Sequence, residues 1–322
     1  MKKFLLLLTL AFVSGCSKSP GLASYWLSWS DEKLIDWQVK SAVLGSNSTA
    51  YCSGSLELST LQSEWTSLAL HWASLNGFPY LAISDNNLEF DLYFWPDKRN
   101  MVEQRLAQRI ALNEALEIDE LETIVAAEKG LPAMEWLIFS NDISTDQRCL
   151  VLPAIAEYYS AQVDSIVQYH ENNPIIQPTW TEKADSKEGA SISLNLSVQQ
   201  INQLSNRLGN SIDEQGNLLP ILSEGWRSNA ARDIYSTSYA TIIQHLKMAH
   251  ERLDMTVNSQ GLLSSQVNHM DMLLTVLNGR SETDPELMLD IQESLLDAAR
   301  LIEGPLAKDT GVLIGFNNYD GD

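Results

Sequence analysis

"SLELSTLQSEWTSLALHWASLNG", Ser55 to Gly77, decides the fold class. Leu61, Trp65, Leu68, Trp72 and Leu75 recur at spacings of four and three, which places them along one face of an α-helix. His71 lies beside that stripe and reads as a packing or surface residue, not a ligand. The same period returns in "TDPELMLDIQESLLDAARLIEGP" near the C-terminus. There Asp284 stands as an N-cap, Pro285 at the first helical position and Gly304-Pro305 as the stop. Leu287, Ile291, Leu295, Ala298 and Ile302 make the second stripe. Further helices are expected over 31–45, 99–128, 132–140, 150–171, 188–209, 223–256 and 259–278. Helices joined by short connections pack as antiparallel bundles. The expected fold is therefore all-α, built from two helical bundles.

Two segments interrupt the helical pattern. "NNLEFDLYFWPDKRN", Asn86 to Asn100, alternates Leu88, Phe90, Leu92 and Phe94 with other residues, which predicts an extended stretch laid across a bundle. Trp95-Pro96 ends it, and Asp97 is placed to cap the next helix. "ENNPIIQPTWTEKADSKEG", Glu171 to Gly189, carries two prolines among polar residues and reads as a linker. The expected division is a first bundle over 31–172, a linker over 173–189 and a second bundle over 190–322.

The chain has 322 residues, with 21 Lys+Arg against 42 Asp+Glu and a formal charge of −21. Such an excess of acid argues against nucleic acid or an anionic membrane surface as a partner, so no nucleic acid is expected. Most of those carboxylates form a solvated surface, so the charge alone implies no metal. At the N-terminus, "MKKFLLLLTLAFVSGCSKSP" places two lysines before an apolar run, Phe4 to Val13, that is too short for a permanent membrane span. Residues 1–15 read as a signal peptide. "VSGC" resembles a bacterial lipobox, which implies cleavage before Cys16, lipidation of its thiol and a membrane held through that anchor. Residues 16–30 would be the tether. The alternative is an ordinary secretory signal with a chance cysteine. Ser17 after the cysteine, by resemblance to Gram-negative lipoproteins, points to the outer membrane and a periplasm-facing protein. Cys52 and Cys149 remain, and in an oxidising compartment they allow one intramolecular disulfide; two separate buried thiols are the alternative.

Signatures of chemistry are sparse. There is no Gly-rich phosphate loop, no nucleophile elbow and no zinc-protease helix with paired histidines. His71, His170, His245, His250 and His269 read as structural or surface residues. His245 and His250, five apart, lie about 140° from each other around a helix. "KGLPAMEWLIF", Lys129 to Phe139, sets one acid, Glu135, among apolar residues. Proline is tolerated in a first helical turn, and a carboxylate one turn on can accept free amide hydrogens. A buried carboxylate needs a partner, however, or its pKa rises until it is neutral. Arg148 and Arg227 are the candidate partners.

Five pieces of the chain carry a resemblance: "FWPDKRNMVEQRL", "KGLPAMEWLIF", "DQRCLVLPAIAEYY", "SEGWRSNAARDI" and the terminal "GVLIGFNNYDGD". In this order they resemble the imelysin family of bacterial envelope proteins, a family classed with metallopeptidases and linked to iron uptake. The resemblance implies two four-helix bundles related by duplication, with a cleft between them. The family motif is G-x-H-x-x-E. Gly130 and Glu135 match it, but Pro132 stands at the histidine position. A His–Glu pair three apart could hold a metal; proline cannot, so peptidase chemistry built on that pair is not expected. The implied cleft is lined by Asp97, Glu135 and Arg148 from one side and by Glu224, Arg227 and Ser228 from the other. At i, i+3 and i+4 the last three share one helical face. Arginine grips a carboxylate or phosphate bidentately, whereas a metal recruits acids, Glu135 first. "NNYDGD", Asn317 to Asp322, reads as a docked C-terminus, with Phe316 tucked against the cleft. The expected function is lipid-anchored binding for the acquisition of iron or another divalent or trivalent metal, as the ion or as a small anionic iron carrier. A metal-dependent peptidase and a non-catalytic protein-interaction lipoprotein are the alternatives.

Overall fold

Helix α1 (Leu22–Cys52) has three tryptophans on its buried side, Trp26, Trp29 and Trp37, and it packs against helices of both halves of the chain. The computed structural model describes residues 21–75, 78, 81–173, 187–280 and 283–315. The expected signal peptide, Cys16, most of the expected linker and the tail from Phe316 lie outside them. The predicted stripe of α2 (Leu58–Leu75) is wholly buried, with Leu61, Trp65, Leu68, Trp72 and Leu75 all in the core. His71 is buried beside it, its Nε2 2.8 Å from the Lys33 carbonyl. After the short helices α3 (Leu81–Asp85) and α4 (Glu89–Leu92) come α5 (Met101–Ala111), α6 (Gly130–Phe139), α7 (Thr145–Cys149) and α8 (Leu152–Asn172). The second half holds α9 (Lys187–Asn210), α10 (Ala231–Arg252), α11 (Val257–Asn278), α12 (Pro285–Leu301) and a last turn, α13 (Ala307–Thr310). The described residues contain no strand, only one isolated antiparallel bridge between Ile212 and Leu218.

Helices α1, α2, α6 and α8 pack in a closed ring, and α9, α10, α11 and α12 form a second ring. The rings join where α2 meets α10 and α1 meets α9 and α10. The architecture is thus all-α, with helices packed in two groups of four. Buried cross-links tie the helices: Trp37 Nε1 donates to Tyr159 Oη at 3.1 Å, and Ser238 Oγ donates to the Ala73 carbonyl at 2.7 Å.

Several boundaries differ from the sequence reading. Helix α1 begins at Leu22, so residues 22–30 are helix and a tether can reach no further than Gly21. Helix α5 stops at Ala111, followed by Asn113 in the left-handed region, and two short 3₁₀ turns replace the helix expected up to residue 128. The segment expected to be extended contains α4. Phe90 is exposed while Leu92 and its neighbour Tyr93 are both buried, which no two-residue alternation produces. Asp284 does cap α12, accepting from the Glu286 and Leu287 amides. Gly304-Pro305 does not end it. The chain widens into a π turn over Ile302–Leu306, a form that accommodates a proline lacking its N–H, and ends at Gly311.

Cys52, at the end of α1, is bonded to Cys149, at the end of α7, across a sequence separation of 97. A loop of that length gives the crosslink about 4.7 kcal/mol in the chain-entropy model, and measured values fall nearer 2–4 kcal/mol. Replacing both cysteines with alanine is expected to lower unfolding free energy by about 2–4 kcal/mol. Urea unfolding with and without reductant checks this: reductant should destabilise the parent and leave the double variant unchanged.

Candidate functional site

Two irregular passages, residues 93–100 of the first half and 219–230 of the second, meet beside α6. The Trp95–Pro96 peptide is cis, and Trp95 Nε1 donates to the Leu222 carbonyl at 3.1 Å. Asp97 uses both carboxylate oxygens as the cap of α5, accepting from the Met101 amide at 2.6 Å and the Val102 amide at 3.0 Å. This satisfies two of the unpaired amides at a helix start. Asn100, in the left-handed region, presents Oδ1 to Arg227 Nη2 at 2.7 Å, and Arg227 lies 3.9 Å from Asp97. The same guanidinium lies over the Trp226 ring, 4.4 Å from its centroid, a cation–π arrangement.

Glu135 occupies the middle of α6, whose residues are buried from Gly130 to Ile138. Its Oε1 accepts from both the backbone N–H and the hydroxyl of Ser228, each at 2.8 Å. Burial raises its pKa above the ordinary carboxylate value, while Ser228, the Arg227 charge and the Arg227 amide pull the other way. Burial likewise lowers the pKa of Arg227, opposed first by Glu135 and then by Asp97. Each group offsets part of the other's desolvation. Glu135 therefore serves the second half of the chain and not the free amides of its own helix.

Arg148, expected in this site, is elsewhere. It donates to the carbonyls of Leu137 and Ser140 and to Tyr51 Oη, so it closes the C-terminal end of α6, whose last carbonyls have no partner within the helix. The shared helical face for Glu224, Arg227 and Ser228 is not formed either. Residues 223–230 make turns ahead of α10, with Gly225 and Asn229 at positive φ, and the three side chains take different partners. Glu224 pairs with Arg207 at 2.6 Å, Arg227 turns to Asn100 and Asp97, and Ser228 turns to Glu135.

Arg207, Tyr93 and Tyr235 complete the group and were missed by the sequence reading. Arg207 lies 5.8 Å from the centroids of both Tyr93 and Trp95. Tyr93 is buried among Glu224, Glu135 and Arg207, and burial, reinforced by the two carboxylates, holds its hydroxyl well above its usual pKa. Tyr235 Oη accepts from the Glu224 amide at 3.3 Å. Nothing in the local pattern marks these residues; Arg207 sits in the last turn of a helix, where arginine is common. Two charged side chains of this turn keep one buried atom each without a hydrogen-bond partner, Glu224 Oε2 and Arg227 Nε, as does the neighbouring hydroxyl of Ser223. Among the described residues, no three His, Cys, Asp or Glu side chains gather as a metal would require.

The family model for imelysin, peptidase family M75, matches residues 32–253, well over half of the chain. The chain belongs to the imelysin family. A crystal structure of an imelysin-like protein from Psychrobacter arcticum 273-4 superposes with a TM-score of 0.76, covering 92% of this chain and 97% of that one. At 17% identity the likeness is one of fold. No curated protein matches. Within the imelysin motif the Gly130 and Glu135 positions are kept, and both are accounted for by packing. The histidine position holds Pro132, buried in the first turn of α6.

Proposed function

We propose that this imelysin-family chain is a lipid-anchored, periplasm-facing binding protein for iron or another metal, without peptidase activity. The observation that carries the reading is the pair of unmatched atoms, Glu224 Oε2 and Arg227 Nε, in the turn that also supplies Ser228 to Glu135. The donor set does not suit a bare cation, because no three metal-ligating side chains gather among the described residues and Asp97 spends its carboxylate on α5. It suits a chelated one. A hydroxycarboxylate carrying iron would offer a carboxylate to Arg227 and a hydroxyl proton to Glu224. The acids Asp97, Glu135 and Glu224 then position the two arginines. Pro132 supports the absence of peptidase chemistry, since the motif's His–Glu pair has no histidine here.

Calorimetric titration of the delipidated protein with ferrous iron, ferric iron, zinc and citrate-chelated iron tests this. Heat is expected with the citrate complex alone, and Arg227→Ala should weaken it by about 10- to 100-fold, the loss of one buried charged hydrogen bond. No heat with any of the four would overturn the reading. Heat with free zinc, together with chelator-sensitive cleavage of a peptide library, would favour the peptidase.

A further inference from the structure

Asp97 and Asn100, the two residues that hold Arg227 from the first half of the chain, are the ends of one tight turn. The Asn100 amide donates to the Asp97 carbonyl at 3.1 Å, which closes residues 97–100 into a β-turn with Lys98 and Arg99 at its two corners. The ends of that turn are fixed from three sides. The Asp97 carboxylate caps α5, Asn100 Nδ2 donates to Glu103 Oε2 at 2.6 Å, and Asn100 Oδ1 accepts from Arg227. The first and last Cα atoms of a β-turn lie within about 7 Å of each other. Both corner residues therefore project from a point next to the side chains that hold Arg227.

Lys98 and Arg99 are exposed. Among the described residues neither has an acid at ion-pair distance, although Arg109, Lys129, Arg207 and Arg232 all do. The acids of the same neighbourhood are engaged. Asp97 is 5% exposed with both oxygens on amides, Glu103 holds Asn100, and Glu135 holds Ser228. The charge that this corner shows to solvent is therefore positive, in a chain of formal charge −21. That contrast matters to an approaching anion. The net charge repels it, but at physiological salt such repulsion is screened beyond about 8 Å. The last few ångströms are decided by the charges nearest Arg227.

We propose that Lys98 and Arg99 are the entry contact for the anionic iron carrier, drawing its carboxylates to the 97–100 turn and passing them to Arg227. This role presupposes the carboxylate contact of Arg227 described above, and it adds selection by charge. Exposed charges at the rim of a site act mainly on the rate of encounter, and less on the strength of the final contact. A neutral or cationic metal complex gains nothing from the pair.

Stopped-flow mixing of the delipidated protein with citrate-chelated iron, followed by tryptophan fluorescence, separates association from dissociation. At about 10 mM ionic strength, where the Debye length is about 30 Å, Lys98→Ala/Arg99→Ala is expected to slow association by about tenfold, the low end of electrostatic steering. Dissociation should stay within about twofold of the parent. The gap should close in about 1 M NaCl, where the Debye length is about 3 Å. Lys247→Ala/Arg300→Ala removes the same amount of charge from exposed ion pairs on α10 and α12 and should keep the parent's association rate. Equal association rates for the parent and Lys98→Ala/Arg99→Ala, with binding intact, would overturn the entry role and leave the Arg227 contact standing. So would an effect confined to dissociation, or an equal slowing by the remote pair. No signal from the parent itself would overturn both.

Discussion

Glu135→Ala is expected to lower the unfolding free energy by about 3–5 kcal/mol, the usual result of removing a buried carboxylate that accepts two hydrogen bonds and offsets a neighbouring buried charge. The side chain is only 3% exposed, and its loss strands several groups at once. The Ser228 amide and hydroxyl lose their common acceptor, although the hydroxyl keeps a contact with the Gly225 carbonyl at 2.9 Å. Arg227 loses the carboxylate that does most to offset its burial. Glu135→Gln separates the two contributions, because the amide oxygen still accepts from Ser228 but carries no charge. It should fall between the parent and the alanine variant. Urea unfolding monitored by tryptophan fluorescence measures all three. If Glu135→Ala unfolds with the parent's midpoint, the carboxylate does not tie the halves together.

Gly130→Ala is the second large effect. Gly130 has φ +72°, and a Cβ built there would lie 2.4 Å from the Leu92 carbonyl oxygen and 2.5 Å from that of Asp91. The left-handed conformation alone costs an L-residue about 1–2 kcal/mol. Backbone oxygens at such distances cannot yield as a flexible side chain would, and the overlap adds about 1–3 kcal/mol. Gly54→Ala isolates the second part, because Gly54 has a similar φ of +77° and nothing within 4 Å of its added Cβ. Gly54→Ala should therefore show only the conformational cost, and Gly130→Ala clearly more. The displacement would also reach the site: Asp91 pairs with the buried Lys129 at 2.9 Å, and the chain runs from Leu92 directly into Tyr93. Equal destabilisation by the two substitutions would show that α4 gives way without cost.

These two substitutions mark the limits of what the local pattern reveals. The buried stripes of α2 and α12 and the Asp284 cap are legible because a helix repeats every 3.6 residues and its caps lie within three residues of what they cap. The family motif drew attention to Gly130 and Glu135, but the reason for the glycine lies in two carbonyls nearly forty residues earlier in the chain. Arg148 and Arg227 were equal candidates as partners of Glu135. What separates them is the fold, which turns Arg148 to the end of α6 and places Arg227 in a turn that reaches back from the second half. The face assigned to Glu224, Arg227 and Ser228 failed for a related reason: two residues at positive φ, Gly225 and Asn229, break the helix that their spacing assumed.

The amino-acid sequence by itself determined the all-α class and the helices that carry the core, because both depend on short-range periodicity; three cysteines leave more than one pairing, and the fold joins Cys52 to Cys149. Only the tertiary structure decided which charges meet. Ser228 reaches Glu135 across 93 residues of chain, and Arg207 and Tyr93 join them from elements whose own patterns are unexceptional. A buried charge is stabilised by whatever group the packing brings within hydrogen-bond distance, and that distance is set by how the two helix rings meet.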